Sequence, residues 1–262
     1  MASKKQPTTA VAETAKNLLA EAVELDFAAD AGAGLENVDV QSMAIPYLLV
    51  LQALSPQLET VENAKAGLII DSITNELLTE VEVVQCGYKR NYVRWGDREA
   101  GGGFKGAYSA LDVERGTIEG LQRDAEGRLT IDGDQLADTR EHYVLYKSAS
   151  GDWHPAVISM SRTQIKRSRR WMTLVQSKEM RTADGKPFTP PSYAYIYTLT
   201  TQKEENAKGK WHSWTVTGSR QIDDAELYAR ARALHAQIAA GNVQVAAPEP
   251  ETDGSAEQFD SF

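Results

Sequence analysis

Apolar and polar positions alternate along this chain in a way that divides it into short segments. "AIPYLLVLQALSPQL" (44–58) is the first strongly apolar run, with Pro46 near its entry and Pro56 closing it. Its periodicity fits a core strand or a short helix equally well. "EVEVVQCGYKRNYVRW" (80–95) alternates Val and Tyr with polar residues and predicts a half-buried strand pair. A glycine-rich loop, "GDREAGGGFKGAYS", follows, and residues 116–138 mix apolar residues with turn signals, as a hairpin-like insertion would. Further strands are predicted at 140–148, 154–160, 192–201 and 210–218, with the charged loop "QKEENAKGK" between the last two. Helical spacing appears at about 161–177, where Ser161 and Gln164 suggest a capping box, and at about 223–240, which starts on two acids and ends at Gly241. A short helix is also expected near 10–28. The sum is an α+β chain, mainly antiparallel β. An OB-fold-like open barrel with added helices and flexible ends fits it. The expected organisation is a flexible arm over 1–36, an OB-like domain over 37–241 and a disordered acidic tail over 242–262.

Charge changes this picture by its distribution. The chain carries 28 Lys and Arg against 37 Asp and Glu, a net charge of −9. Residues 1–44 hold three bases and seven acids, and residues 243–262 hold five acids and no base. The stretch 45–242 therefore has 25 of each and is neutral, which leaves room for a basic face that the whole-chain balance hides. The single cysteine, Cys86, excludes an internal disulfide framework. No run is apolar for long enough to span a membrane as a helix, and the N-terminus lacks the pattern of a secretory signal, so a cytoplasmic location is expected.

Three segments carry candidate chemistry. On the helix at 161–177, Ile165, Ser168, Trp171, Met172 and Val175 share one face, while Arg162, Lys166, Arg169 and Arg170 lie opposite, with Arg167 between them in sequence and no acid before Lys178. Such a run is usually a solvated face, but like charges on a helix repel, and phosphates are the simplest partner that would relieve them. The stretch 87–106 interleaves bases and rings: Lys89, Arg90, Tyr92, Arg94, Trp95, Arg98, Phe104 and Lys105. Binders of single-stranded nucleic acid need that mixture, because cations follow the backbone while rings stack on unpaired bases. Tyr193, Tyr195 and Tyr197 would share one face of a strand, and Trp211 adds a further ring, as a stacking platform or as core. No histidine or cysteine has metal-ligand spacing, and "DGD" (132–134) and "DD" (223–224) read as a turn and a helix start. No catalytic residue, metal or cofactor is expected.

The apolar run at 44–58, "RWGDREAGGGFKG", "TQIKRSRRW" and the acidic end "AEQFDSF" together resemble single-stranded DNA-binding proteins encoded by bacteriophages, over roughly 40–220 plus the tail. The resemblance implies an OB core whose groove takes single strands by stacking and phosphate contact. It also implies a tail, here Glu257, Phe259, Asp260 and Phe262, that recruits replication or recombination proteins and competes for the DNA groove. The expected function is sequence-independent single-stranded DNA binding, with no membrane partner and with homo-oligomers left open. The alternatives are a protein-interaction adaptor or inhibitor, and a DNA-processing enzyme, either a nuclease or an annealase.

Overall fold

A computed structural model describes residues 27–31, 33–34, 36, 44–96, 103–207, 209–243 and 245. The chain divides into two compact units, residues 1–39 and 40–262. In the first, the described residues form turns, with the Gly34 amide donating to Glu36 Oε1 at 2.9 Å. The helix expected at 10–28 lies outside the described residues except for its last two, which are in a turn.

The second unit is mostly antiparallel sheet. Its elements are β1 (Leu48–Val50), α1 (Gln57–Thr60), β2 (Ile69–Asp71), β3 (Leu77–Leu78), β4 (Glu80–Gly96), β5 (Gly103–Ser109), α2 (Ala110–Arg115), β6 (Leu121–Arg123), β7 (Leu129–Ile131), β8 (Asp134–Lys147), β9 (Trp153–Ser161), α3 (Ile165–Gln176), β10 (Met180–Arg181), β11 (Pro187–Phe188), β12 (Tyr195–Asn206), β13 (Gly209–Gln221) and α4 (Ala225–Ala239). The main sheet runs β13-β12-β4-β8-β7-β6, with β5 added to β4 and β9 added to β8; β1-β2-β3 and β10-β11 form two small sheets, and no sheet closes.

The strand pair expected at 80–95 is one strand of 17 residues. It changes neighbours along its length: residues 80–84 pair with β12 and residues 91–96 with β5, while β8 follows it from Val83 to Trp95. A register shift between Gln85 and Gly87 resets the alternation, which is why the sequence looks like two strands. The expected turn at 132–134 is present, with Asp132 (φ 51°) and Gly133 (φ 85°) in the left-handed region that a tight hairpin requires.

The first half of the sheet is covered on both faces, so its strands read as nearly continuous apolar runs. Val83, Val144, Tyr146, Ile158, Tyr197 and Leu199 pack with Trp171 and Val175 of α3 and with Leu48 and Ile69 of the small β1-β2-β3 sheet. Val84, Cys86, Tyr143, Leu145, Val157 and Ile196 pack on the other face with Leu227, Ala231, Leu234 and Ile238 of α4. Asp224 caps α4 by accepting from the amides of Glu226 and Leu227, as the acids at its start suggested. Gly87 lets α4 close down, since a Cβ there would stand 3.0 Å from Ile238 Cγ2.

The helix expected at 161–177 is a short 3₁₀ turn, Arg162–Gln164, leading into α3. The expected capping box does not cap it. Gln164 instead turns away to β13, where its Oε1 accepts from the Trp214 amide at 3.2 Å and its Nε2 donates to the His212 carbonyl at 3.3 Å. Gln52 grips the same strand, donating to the His212 carbonyl (2.9 Å) and accepting from its amide (2.8 Å). These two side chains occupy part of the outer edge of β13 that a free strand would otherwise expose.

His142 of β8 ties α3 to the sheet. It is fully buried, and its ring lies parallel to the Trp171 indole, 4.4 Å between centroids. Gln85 Nε2 donates to the Gly87 carbonyl, which leaves Gln85 Oε1 to accept from His142 Nδ1–H at 3.2 Å. His142 Nε2 therefore accepts from the Ser168 hydroxyl of α3 at 2.7 Å. Burial, with Arg140 nearby, lowers the pKa of this imidazole to about 3. The unfolded chain thus takes up the proton first. The contribution of His142 is complete above about pH 6.5 and is lost as pH falls from there toward about 3. Urea unfolding should show stability declining by up to about 1.4 kcal/mol per pH unit below pH 6. A His142→Gln variant should lose most of that slope between pH 6.5 and 5, keeping the smaller part due to His212, whose pKa burial and Lys203 also lower. An unchanged slope would place the acid sensitivity elsewhere.

Candidate functional site

The strongest concentration of uncompensated positive charge lies on the outer face of α3. Its buried face is Ser168, Trp171 and Val175, which turns Lys166, Arg169 and Arg170 outward, and Arg162 is exposed in the 3₁₀ turn before it. Arg162, Arg169 and Arg170 have no acid within salt-bridge distance among the described residues. Arg162 also takes a left-handed backbone conformation (φ 48°) at the turn into the helix, an unfavourable choice for a side chain of its size. Lys166 and Arg167 are held by one acid, Glu204 of β12, with Lys166 Nζ 2.8 Å from Glu204 Oε2. Burial alone would raise the Glu204 pKa, but hydrogen bonds from Lys166, Arg167 and Ser213 outweigh it and bring it to about 2. Glu204 is therefore ionised at neutral pH and cancels one of the two charges.

Two clefts flank this helix. One, of about 380 Å³, lies at its N-terminal end between the β6–β7 hairpin and Arg162, and is lined by Tyr92, Arg123, Arg128, Leu136, Asp138 and Ile165 among others. The other, of about 440 Å³, lies between α3 and β13, with Arg167, Arg170, Thr173, Trp171, Trp214 and Val216 in its walls. Arg123 and Arg128 were not singled out in the sequence. They lie five apart in a hairpin, and only the folding of β6–β7 beside the α3 turn brings them to Arg162. Arg128 is paired with Asp124 and Glu126.

The other candidates scatter. Arg90 is bound by Glu114 and Asp138, and its guanidinium also stands over the Tyr92 ring, 5.6 Å from the centroid. Arg94 and Lys105 share Asp134, whose pKa they hold below the carboxylate range, Lys105 first. Trp95 and Phe104 meet edge to face at 6.2 Å at the far end of β4 and β5. Lys89 stands over the Tyr143 ring on the α4 side of the sheet, opposite α3. Arg98 and the tail residues Glu257, Phe259, Asp260 and Phe262 lie outside the described residues.

The three tyrosines do not form one platform. Tyr193 sits in a 3₁₀ turn before β12 and packs against Tyr228 and His235 of α4. Tyr195 lies under Lys178, and Tyr197 is fully buried against Trp171. Trp171 is 1% exposed with one ring face covered by His142, and Trp211 is 8% exposed with its N–H bonded to Ser213. Trp171, Tyr197 and Trp211 are core, because β12 and β13 are covered where the sequence pattern left them open. On the α3 side the accessible rings are Tyr88, whose edge meets His142 at 5.2 Å, and Tyr92.

A model of the Pam3 phage gp34-like protein family matches residues 13–244. The chain belongs to that bacteriophage family. The match covers every helix and strand described above and ends before the first acid of the tail, Glu249. Searches of curated proteins and of solved structures find no match. Within this gp34-like chain, no described helix is long and apolar enough to cross a membrane, and no group of three or more His, Cys, Asp or Glu among the described residues is placed to hold a metal ion.

The electrostatic account can be checked on a polyanion. Glu204→Gln frees one positive charge on α3, so the protein should elute from heparin at higher salt than the parent. Replacing Arg169 and Arg170 together by Ala should lower the elution salt. If neither changes it, the α3 face does not dominate the protein's affinity for anions.

Proposed function

We propose that this phage protein binds single-stranded DNA without sequence preference, as part of replication or recombination, through the face built on α3. The observation that carries this reading is the row Arg162, Arg169 and Arg170. These guanidiniums lack an acid partner among the described residues of a region whose other candidate bases are mostly neutralised. A cation row of this kind suits a flexible phosphate backbone, and Tyr88 and Tyr92 offer rings for unpaired bases at its N-terminal end. The OB-type reading of the fold belongs to the same proposal. It is supported by the way one segment touches both margins of the open sheet: Tyr47 bridges to Val157 of β9, and Gln52 bonds to His212 of β13. The acidic tail, as a contact for partner proteins, completes the proposal.

Fluorescence anisotropy with a labelled oligo-dT, and a duplex of equal length as control, tests it. Affinity should fall with salt at a log–log slope of about −0.7 for each phosphate neutralised. The Arg169→Ala, Arg170→Ala double variant should bind on the order of tenfold more weakly at low salt, with a slope shallower by about 1.4. No binding by the parent protein would discard the reading and leave a protein-interaction role for the basic face.

A further inference from the structure

The cleft between α3 and β13 is more than a gap beside a charged helix. Its volume of about 440 Å³ is within the range of pockets that hold small organic ligands. It is lined by Leu174 and Val216, over the buried side chains of Met160, Leu199, Trp171 and Trp214. Arg170, which has no acid partner among the described residues, stands on the same cleft, and Arg167 stands beside it. A ligand that suits these features carries an anionic group and an apolar body.

We propose that this cleft takes one unstacked base of the bound strand, with the adjoining phosphate on Arg170. The inference rests on the single-strand reading and goes beyond it by naming a seat for a base. Every base brings an apolar ring, so the seat is tolerant of sequence. It also gives Trp171 and Trp214 a role as walls of a base pocket, distinct from the stacking platform that their burial excludes. A row of arginines alone would bind a strand by its phosphates and would ignore the bases. A base pocket makes part of the affinity depend on them.

The test compares labelled oligo-dT with an abasic oligomer of equal length that keeps every phosphate. Thr173 of α3 and Ser177, just past its end, are exposed and line the cleft, so a large side chain at either fills it while leaving the charges in place. The parent should bind oligo-dT about tenfold more tightly than the abasic oligomer. Thr173→Trp should lose that difference, binding oligo-dT about as weakly as the parent binds the abasic strand, and its affinity for the abasic strand should stay unchanged. Ser177→Trp gives a second, independent filling and should do the same. Equal binding of both oligomers by the parent, or a preference for bases that survives both fillings, overturns the pocket and leaves the phosphate-binding face standing. Failure of the parent to bind either oligomer overturns both.

Discussion

What the basic face can do depends on how α3 is held, and one buried imidazole ties its inner side to the sheet. His142 accepts from Ser168 and stacks on Trp171, one helical turn apart on the inner side of α3, while Gln85 fixes its tautomer from the neighbouring strand. A neutral ring fully inside an otherwise apolar cluster is a demanding arrangement, because each of its nitrogens needs a partner and both have one. With the inner face anchored at Ser168, Trp171 and Val175, the helix has a single rotation open to it. That rotation turns Lys166, Arg169 and Arg170 outward, and the 3₁₀ turn before the helix exposes Arg162.

The sheet supplies the second constraint. β4 and β8 run past each other for more than ten residues and are buried on both faces only in their first shared half, near β9 and β12. The other half extends with β5, β6 and β7 and carries the ion pairs of Arg90, Arg94 and Lys105. Charge is therefore placed in two ways. At the extension it is paired internally; at α3, Arg162, Arg169 and Arg170 have no acid partner among the described residues. Glu204 lies between these uses, since it holds Arg167 in place while cancelling only part of the local charge.

Most of the elements were legible in the sequence. The amphipathic stripe of α3, the acid-capped start of α4 and the alternation of β8, β9, β12 and β13 all follow from spacing and residue type. The length of β4 was not legible, because the irregularity at Cys86 breaks the period that would have joined its halves. Burial of aromatics was not legible either. Tyr195 and Tyr197 alternate correctly for a stacking face, and only the packing of α3 against β12 puts Tyr197 inside, against Trp171. The pairing of charges is likewise a property of the fold: Asp134 and Asp138 lie about forty residues and more from the arginines they neutralise. Sequence could suggest that 87–106 and 161–177 were both basic, but not that one would be spent on internal pairs and the other left free.

The central claim is that a single strand crosses α3 from the hairpin cleft at Arg162 toward the cleft at Trp214. Hydrogen-exchange mass spectrometry, with and without saturating oligo-dT, reads this directly. Slowed exchange in 121–131, in 162–177 and in 211–217, with α4 unchanged, is the pattern the account requires. Protection confined to α4 or to the far end of β4 and β5, with α3 unaffected, would contradict it.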